Sequence, residues 1–89
     1  MLATREQLDE WRKQADKGRR VEAIADHLNE YLDDVRRDTI RELERTDIII
    51  DHMERMQSRL VVIKAIRDSI KKDIDNGRIA EKMLREAEI

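Results

Sequence analysis

The chain has no cysteine, no proline and no phenylalanine, and only two glycines in 89 residues. Without cysteine, disulfides, thiolate metal sites and thiol nucleophiles are all excluded. Trp11 and Tyr31 are the only aromatics, so the large anchors of a thick globular core are missing. A core of Ile, Leu, Val, Met and Ala suits thin helix-on-helix packing instead. Two histidines are too few for most catalytic zinc sites. No run approaches the roughly 18 uncharged apolar residues of a membrane span. Residues 1–20 mix both charge signs with no apolar stretch, unlike a secretory signal. The expected compartment is therefore cytoplasmic, or the host cytosol for a viral chain.

Charge is what the chain has in quantity. Asp, Glu, Lys and Arg make up 45% of it, with a net charge of −2, a balance that argues neither for nor against a polyanion partner. A chain this short, without a covalent or metal staple, builds a marginal core alone. Oligomerisation is its natural further source of buried area.

The densest apolar stretch runs from Ile48 to Ile74. Ile49, Met53, Met56, Leu60 and Ile63 alternate at spacings of four and three, the pattern of a coiled-coil seam. From Ile63 the steps to Ile66, Ile70 and Ile74 become three, four and four, which is an eleven-residue repeat. Ile48-Ile49-Ile50 and Leu60-Val61-Val62-Ile63 make the apolar surface wider than a two-stranded seam requires. Arg67 interrupts it, either setting register from within the seam or rotated outward by the change of repeat.

Upstream, Thr4 and Gln7 have the spacing of a capping box. A first helix over residues 4–17 would place Leu8, Trp11 and Ala15 on one face and end at Gly18. Val21, Ile24, Leu28, Tyr31 and Val35 form a second heptad seam, widened by Ala25 and Leu32. Residues 33–47 break that face, ten of the fifteen being charged. Asp33 and Asp34 with Arg37, Asp38 with Arg41, and Glu42 with Arg45 are spaced to pair along a solvated helix. No breaker residue stands there, so one helix over residues 20–75 is favoured over a hairpin reversing at 45–47. Asn76-Gly77 is expected to end that helix, and residues 78–88 to form a last short one carrying Ile79, Met83 and Ala87.

Charge is also segregated. Residues 22–54 hold eleven acidic and four basic side chains, and residues 55–72 hold six basic and one acidic. That distribution favours antiparallel pairing, within the chain or between chains.

Chemistry-bearing groups are sparse. His27 and Glu30, with Asp26 beside them, lack the second Glu-x-x-His helix of a carboxylate-bridged metal centre, so they read as solvent-side residues. His52 flanks the seam with Ile48 and Met56 at its helical neighbours, which offers no metal or proton-transfer partner, although histidine titrates near neutral pH. Ser58 and Ser69 have no histidine spaced to activate them. No glycine loop could cradle phosphate. Arg12, Lys13, Lys17, Arg19 and Arg20 crowd one segment. Together with Arg55 and Arg59 of the second basic run, they are candidate phosphate contacts.

The expected fold is all-α: a short N-terminal helix, a long central amphipathic helix or a helical hairpin broken near 45–47, and a short C-terminal helix, in a single domain assembled as a coiled-coil or helical-bundle oligomer. The expected function is a non-enzymatic interaction or assembly module, a homo-oligomer that can also bind or regulate a protein partner. Its interface would be Ile49, Met53, Met56, Leu60, Ile63, Ile66 and Ile70. No cofactor, metal, small-molecule substrate or membrane is expected. The alternative is a small accessory nucleic-acid binder using Arg12, Lys13, Arg19, Arg20, Arg55 and Arg59.

Overall fold

The computed structural model describes residues 2–87, and they form two long helices and no strand. Helix α1 spans Arg5–Leu43 and helix α2 spans Ile50–Ala87. Glu88, the expected end of a third helix, lies outside the described residues. The chain divides into two compact units. A terminal unit takes residues 2–25 and 69–87, and a turn unit takes Asp26–Asp68.

The capping box at the start of α1 forms as its spacing predicts. The Thr4 amide donates to Gln7 Oε1 at 2.9 Å, and the Gln7 amide donates to Thr4 Oγ1 at 3.1 Å. Two amides that open a helix without intrahelical partners are thereby satisfied.

The helix boundaries differ from the expected ones in an instructive way. α1 runs straight through Gly18, and α2 runs through Asn76-Gly77. The chain reverses at residues 44–49, around the 45–47 break of the less favoured hairpin reading, where it has neither glycine nor proline. Neither the short helix over 4–17 nor the separate one over 78–88 exists, and 20–75 is not one helix. Among the described residues no non-glycine residue has positive φ, so the reversal needs no left-handed position. The Arg45 amide tightens the end of α1 by donating to the Glu42 carbonyl at 3.3 Å. α2 opens with the Met53 amide on the Ile49 carbonyl at 2.9 Å.

The glycines are helical because they face each other. In the terminal unit, a Cβ built on Gly18 would lie 2.7 Å from Gly77 Cα and 3.0 Å from the Asp73 carbonyl oxygen, and one on Gly77 would lie 2.7 Å from Gly18 Cα. A glycine inside a helix costs about 1 kcal/mol relative to alanine. Here the missing side chains let two backbones touch. Ala15 and Ala80, each 1% exposed, and the buried Ala25 and Ile70 extend this close seam.

The turn unit has larger side chains at its seam. Leu32, Met56 and Ile63 are buried, with Leu28, Val35, Ile40, Leu43, Met53 and Leu60 half-buried beside them. Residues 33–43 therefore do not leave the packed face as their charge suggested. Thr39 is fully buried, and its hydroxyl donates to the Val35 carbonyl at 2.7 Å, which removes the cost of an unpaired buried donor.

Two rows on each helix build these seams, and on each helix one expected row gives way to its neighbour. On α1 the row 18-25-32-39 (Gly, Ala, Leu, Thr) is buried, while Ile24 and Tyr31 are exposed. Within residues 21–35 the Ile24–Tyr31 row is the more apolar. Over the whole helix its next members are Lys17 and Asp38, whose burial would cost far more than the two apolar side chains return. On α2 the heptad does not yield to an eleven-residue repeat. Met56, Ile63, Ile70 and Gly77 continue it at steps of seven, Arg67 lies on the adjoining row, and Ile66 is exposed.

Candidate interaction surface

The seven residues expected to meet a partner fall into three groups. Met56, Ile63 and Ile70 are buried inside the chain, so they are core positions of its own helix pairing. Met53 and Leu60 are half-buried along the same seam. Ile49 and Ile66 remain 66% and 42% exposed. Ile50, Val61 and Val62 are also exposed, with Val62 one turn from Ile66 and with Ile50 and Val61 on the other flank of α2.

In the turn unit one contact fixes which residues share a side of the hairpin. His52 Nε2 lies 3.1 Å from Glu42 Oε2, joining the end of α1 to the start of α2. Stepping back from Glu42 at helical spacing reaches Asp38, Asp34 and Tyr31. Stepping forward from His52 reaches Arg55, Arg59, Val62 and Ile66. That side thus carries an acidic row on α1 and a basic row on α2. The same spacing puts Tyr31 (64% exposed), Val62 (54%) and Ile66 (42%) on this side as well.

The opposite side of the same unit holds Arg67. Its guanidinium donates to Asp33 Oδ1 and, at 3.5 Å, to the Asn29 carbonyl. Its Nε is buried without a partner. The arginine is thus a seam residue that reaches over the edge to a carboxylate on α1. Asp33 consequently pairs across the hairpin, and only Asp34 pairs with Arg37, at 3.0 Å.

At the turn, Arg45 bridges Glu42 at 3.1 Å and Asp47 at 3.0 Å. The hydrogen bond from His52, then the one from Arg45, holds the Glu42 carboxyl below its ordinary value. Arg45 does the same for Asp47. The partner of His52 lies ten residues away on the other helix, which helical spacing within α2 could not reveal. His27 and Glu30 are exposed, as their placement on a solvent face predicts.

In the terminal unit, Lys17 pairs with Asp73 at 3.6 Å, Arg19 with Glu81 at 2.7 Å, and Arg78 with Glu22 at 2.7 Å. Arg12 also meets Asp9, and Arg19 meets Asp16, both at 3.6 Å. Lys13 and Arg20 share an open groove with Lys17, but Glu10 and Asp73 line it too. Among the described residues, Arg55 and Arg59 enter no ion pair, and no group of three or more His, Asp or Glu could hold a metal ion. No helix of the described residues is long and apolar enough to cross a membrane. Compared with family models, with curated proteins and with solved structures, the chain matches none.

Proposed function

We propose that this chain is a non-enzymatic helical interaction module that self-associates, as a helical bundle, through the part of the 48–74 face that α1 leaves uncovered. The observation that carries the reading is the exposure of Ile49, Ile50, Val61, Val62 and Ile66 after Met56, Ile63 and Ile70 have been covered. A helical protein partner would draw on the same side chains.

The nucleic-acid alternative has less support. Arg12, Lys17 and Arg19 are engaged by carboxylates, and each such pair reduces the positive charge offered to a phosphate backbone. Light scattering across a range of protein concentrations tests the main reading, with mass rising to an integral multiple of 10.7 kDa. A strictly monomeric mass up to about 1 mM, the weak end of specific association, would refute it. A gel shift at low salt that vanishes at high salt would favour the alternative.

A further inference from the structure

We propose that the occupant of the Tyr31–Val62–Ile66 side of the turn unit is a second copy of the same chain, related by a two-fold axis parallel to the helices. This rests on the self-association reading above and adds the face and the orientation. Three features of the turn unit support it.

First, the face is amphipathic in the manner of a two-fold interface. Tyr31, Val62 and Ile66 are each exposed, counting turns from the Glu42–His52 contact sets them at nearby levels, and a self-complementary patch places the same apolar residues on both partners. Second, its charges are sorted by helix. Asp34 and Asp38 lie on α1, and Arg55 and Arg59 lie on α2 at nearby levels of the antiparallel pair. A rotation about an axis parallel to the helices exchanges left for right and keeps height. It therefore sets the acidic row of each copy over the basic row of the other, with apolar cluster on apolar cluster. Each α1 would also lie beside an antiparallel α2, the usual neighbour relation of a four-helix bundle.

Third, the charges concerned are available. Arg55 and Arg59 have no ion-pair partner among the described residues. Asp34 and Asp38 hold only local pairs, with Arg37 at 3.0 Å and Arg41 at 3.9 Å, at 57–71% side-chain exposure. Exposed pairs of this kind contribute little and exchange readily. The opposite side of the hairpin lacks this arrangement, because Asp33 and Arg67 already satisfy each other there.

The test uses the full chain and three variants, with mass measured by light scattering and helicity by circular dichroism. Val62→Glu should raise the dissociation constant at least about tenfold while leaving the helical signal intact. A double variant Asp34→Arg, Asp38→Arg should associate weakly, as should Arg55→Asp, Arg59→Asp. Each sets like charges together across the two-fold. Mixed in equal amounts, these two should form a heterodimer tighter than either alone, since acid again meets base at both sites. That recovery cannot come from a variant that has merely failed to fold. If all three variants self-associate like the parent chain, or the mixture shows no recovery, the face is wrong while self-association stands. If the parent chain itself stays monomeric, both readings fall.

Discussion

Replacing Gly18 or Gly77 by alanine should destabilise the protein, although alanine is the better helix former. On an open helix surface the exchange gains 0.8–1.0 kcal/mol, roughly the difference in intrinsic propensity. Here a Cβ at either position would stand 2.7 Å from the opposing Cα, whereas ordinary contact begins at 3.4 Å. The helices must therefore part by about 0.7 Å at that level. No side chain can rotate away to relieve the contact, because the atoms met are backbone: Gly77 Cα and N with the Asp73 carbonyl on one side, Gly18 Cα and N with the Gln14 carbonyl on the other. Parting the backbones also loosens Ala15 and Ala80, which are buried in the same seam. Overpacking of this kind costs typically ~1–3 kcal/mol, so the net loss is about 1 kcal/mol for either single change after the propensity gain is subtracted. In a domain of this size that lowers Tm by roughly 4–8 °C. Thermal melts followed by circular dichroism, at one fixed protein concentration, read it directly. The double variant should lose more than either single one. A rise in Tm of several degrees for Gly18→Ala would show that the two glycines do not meet in solution, and the close seam of the terminal unit would have to be abandoned.

Arg67→Leu should be neutral or raise stability by about 1 kcal/mol, since a seam charge with an unpaired Nε gives way to an apolar side chain and the Asp33 it leaves is well exposed. A loss of more than ~2 kcal/mol of unfolding free energy in urea melts would contradict this and mark the arginine as a stabilising tie. The turn should loosen in acid. Glu42 and Asp47 have carboxyls held below their ordinary values in the folded chain, so their contribution is present above the unfolded values and is lost as pH falls through the folded ones. Amide exchange at residues 44–49, corrected for its intrinsic pH dependence from pH 6 down to pH 3, should lose protection relative to the interior of α1, and Glu42→Gln should remove part of that dependence.

The all-helical class was legible because periodicity and the absence of breakers both point to it. The heptad expected from Ile49 to Ile63 reappears in part: Met56 and Ile63 are buried and Met53 and Leu60 half-buried in the seam of the turn unit, while Ile49 is exposed. The path of the chain was harder to read, because local punctuation and tertiary packing disagree. Gly18 and Gly77 carry the signature of helix ends, yet each is needed where another backbone arrives, a requirement visible only once both helices of the pairing are known. Residues 44–49 carry no turn signature, and their reversal is held by Arg45 and by the burial of one seam against the other. Ile24 and Tyr31 lie outside the seam for a related reason. The apolar pattern of residues 21–35 points to them, but the helix is 39 residues long, and over that length their row runs into Lys17 and Asp38. The basic and acidic rows of the turn unit could not be assigned to one side until Glu42 and His52 showed how the helices face.

The glycine pair also constrains how this chain can change over time. At most packed positions an enlarged residue on one helix can be accommodated by a smaller one opposite. Between Gly18 and Gly77 that remedy is closed, because neither position holds a side chain to shrink. Drift at either site is therefore without a compensating reply, and the pair should behave as a matched absence that is kept together or lost together.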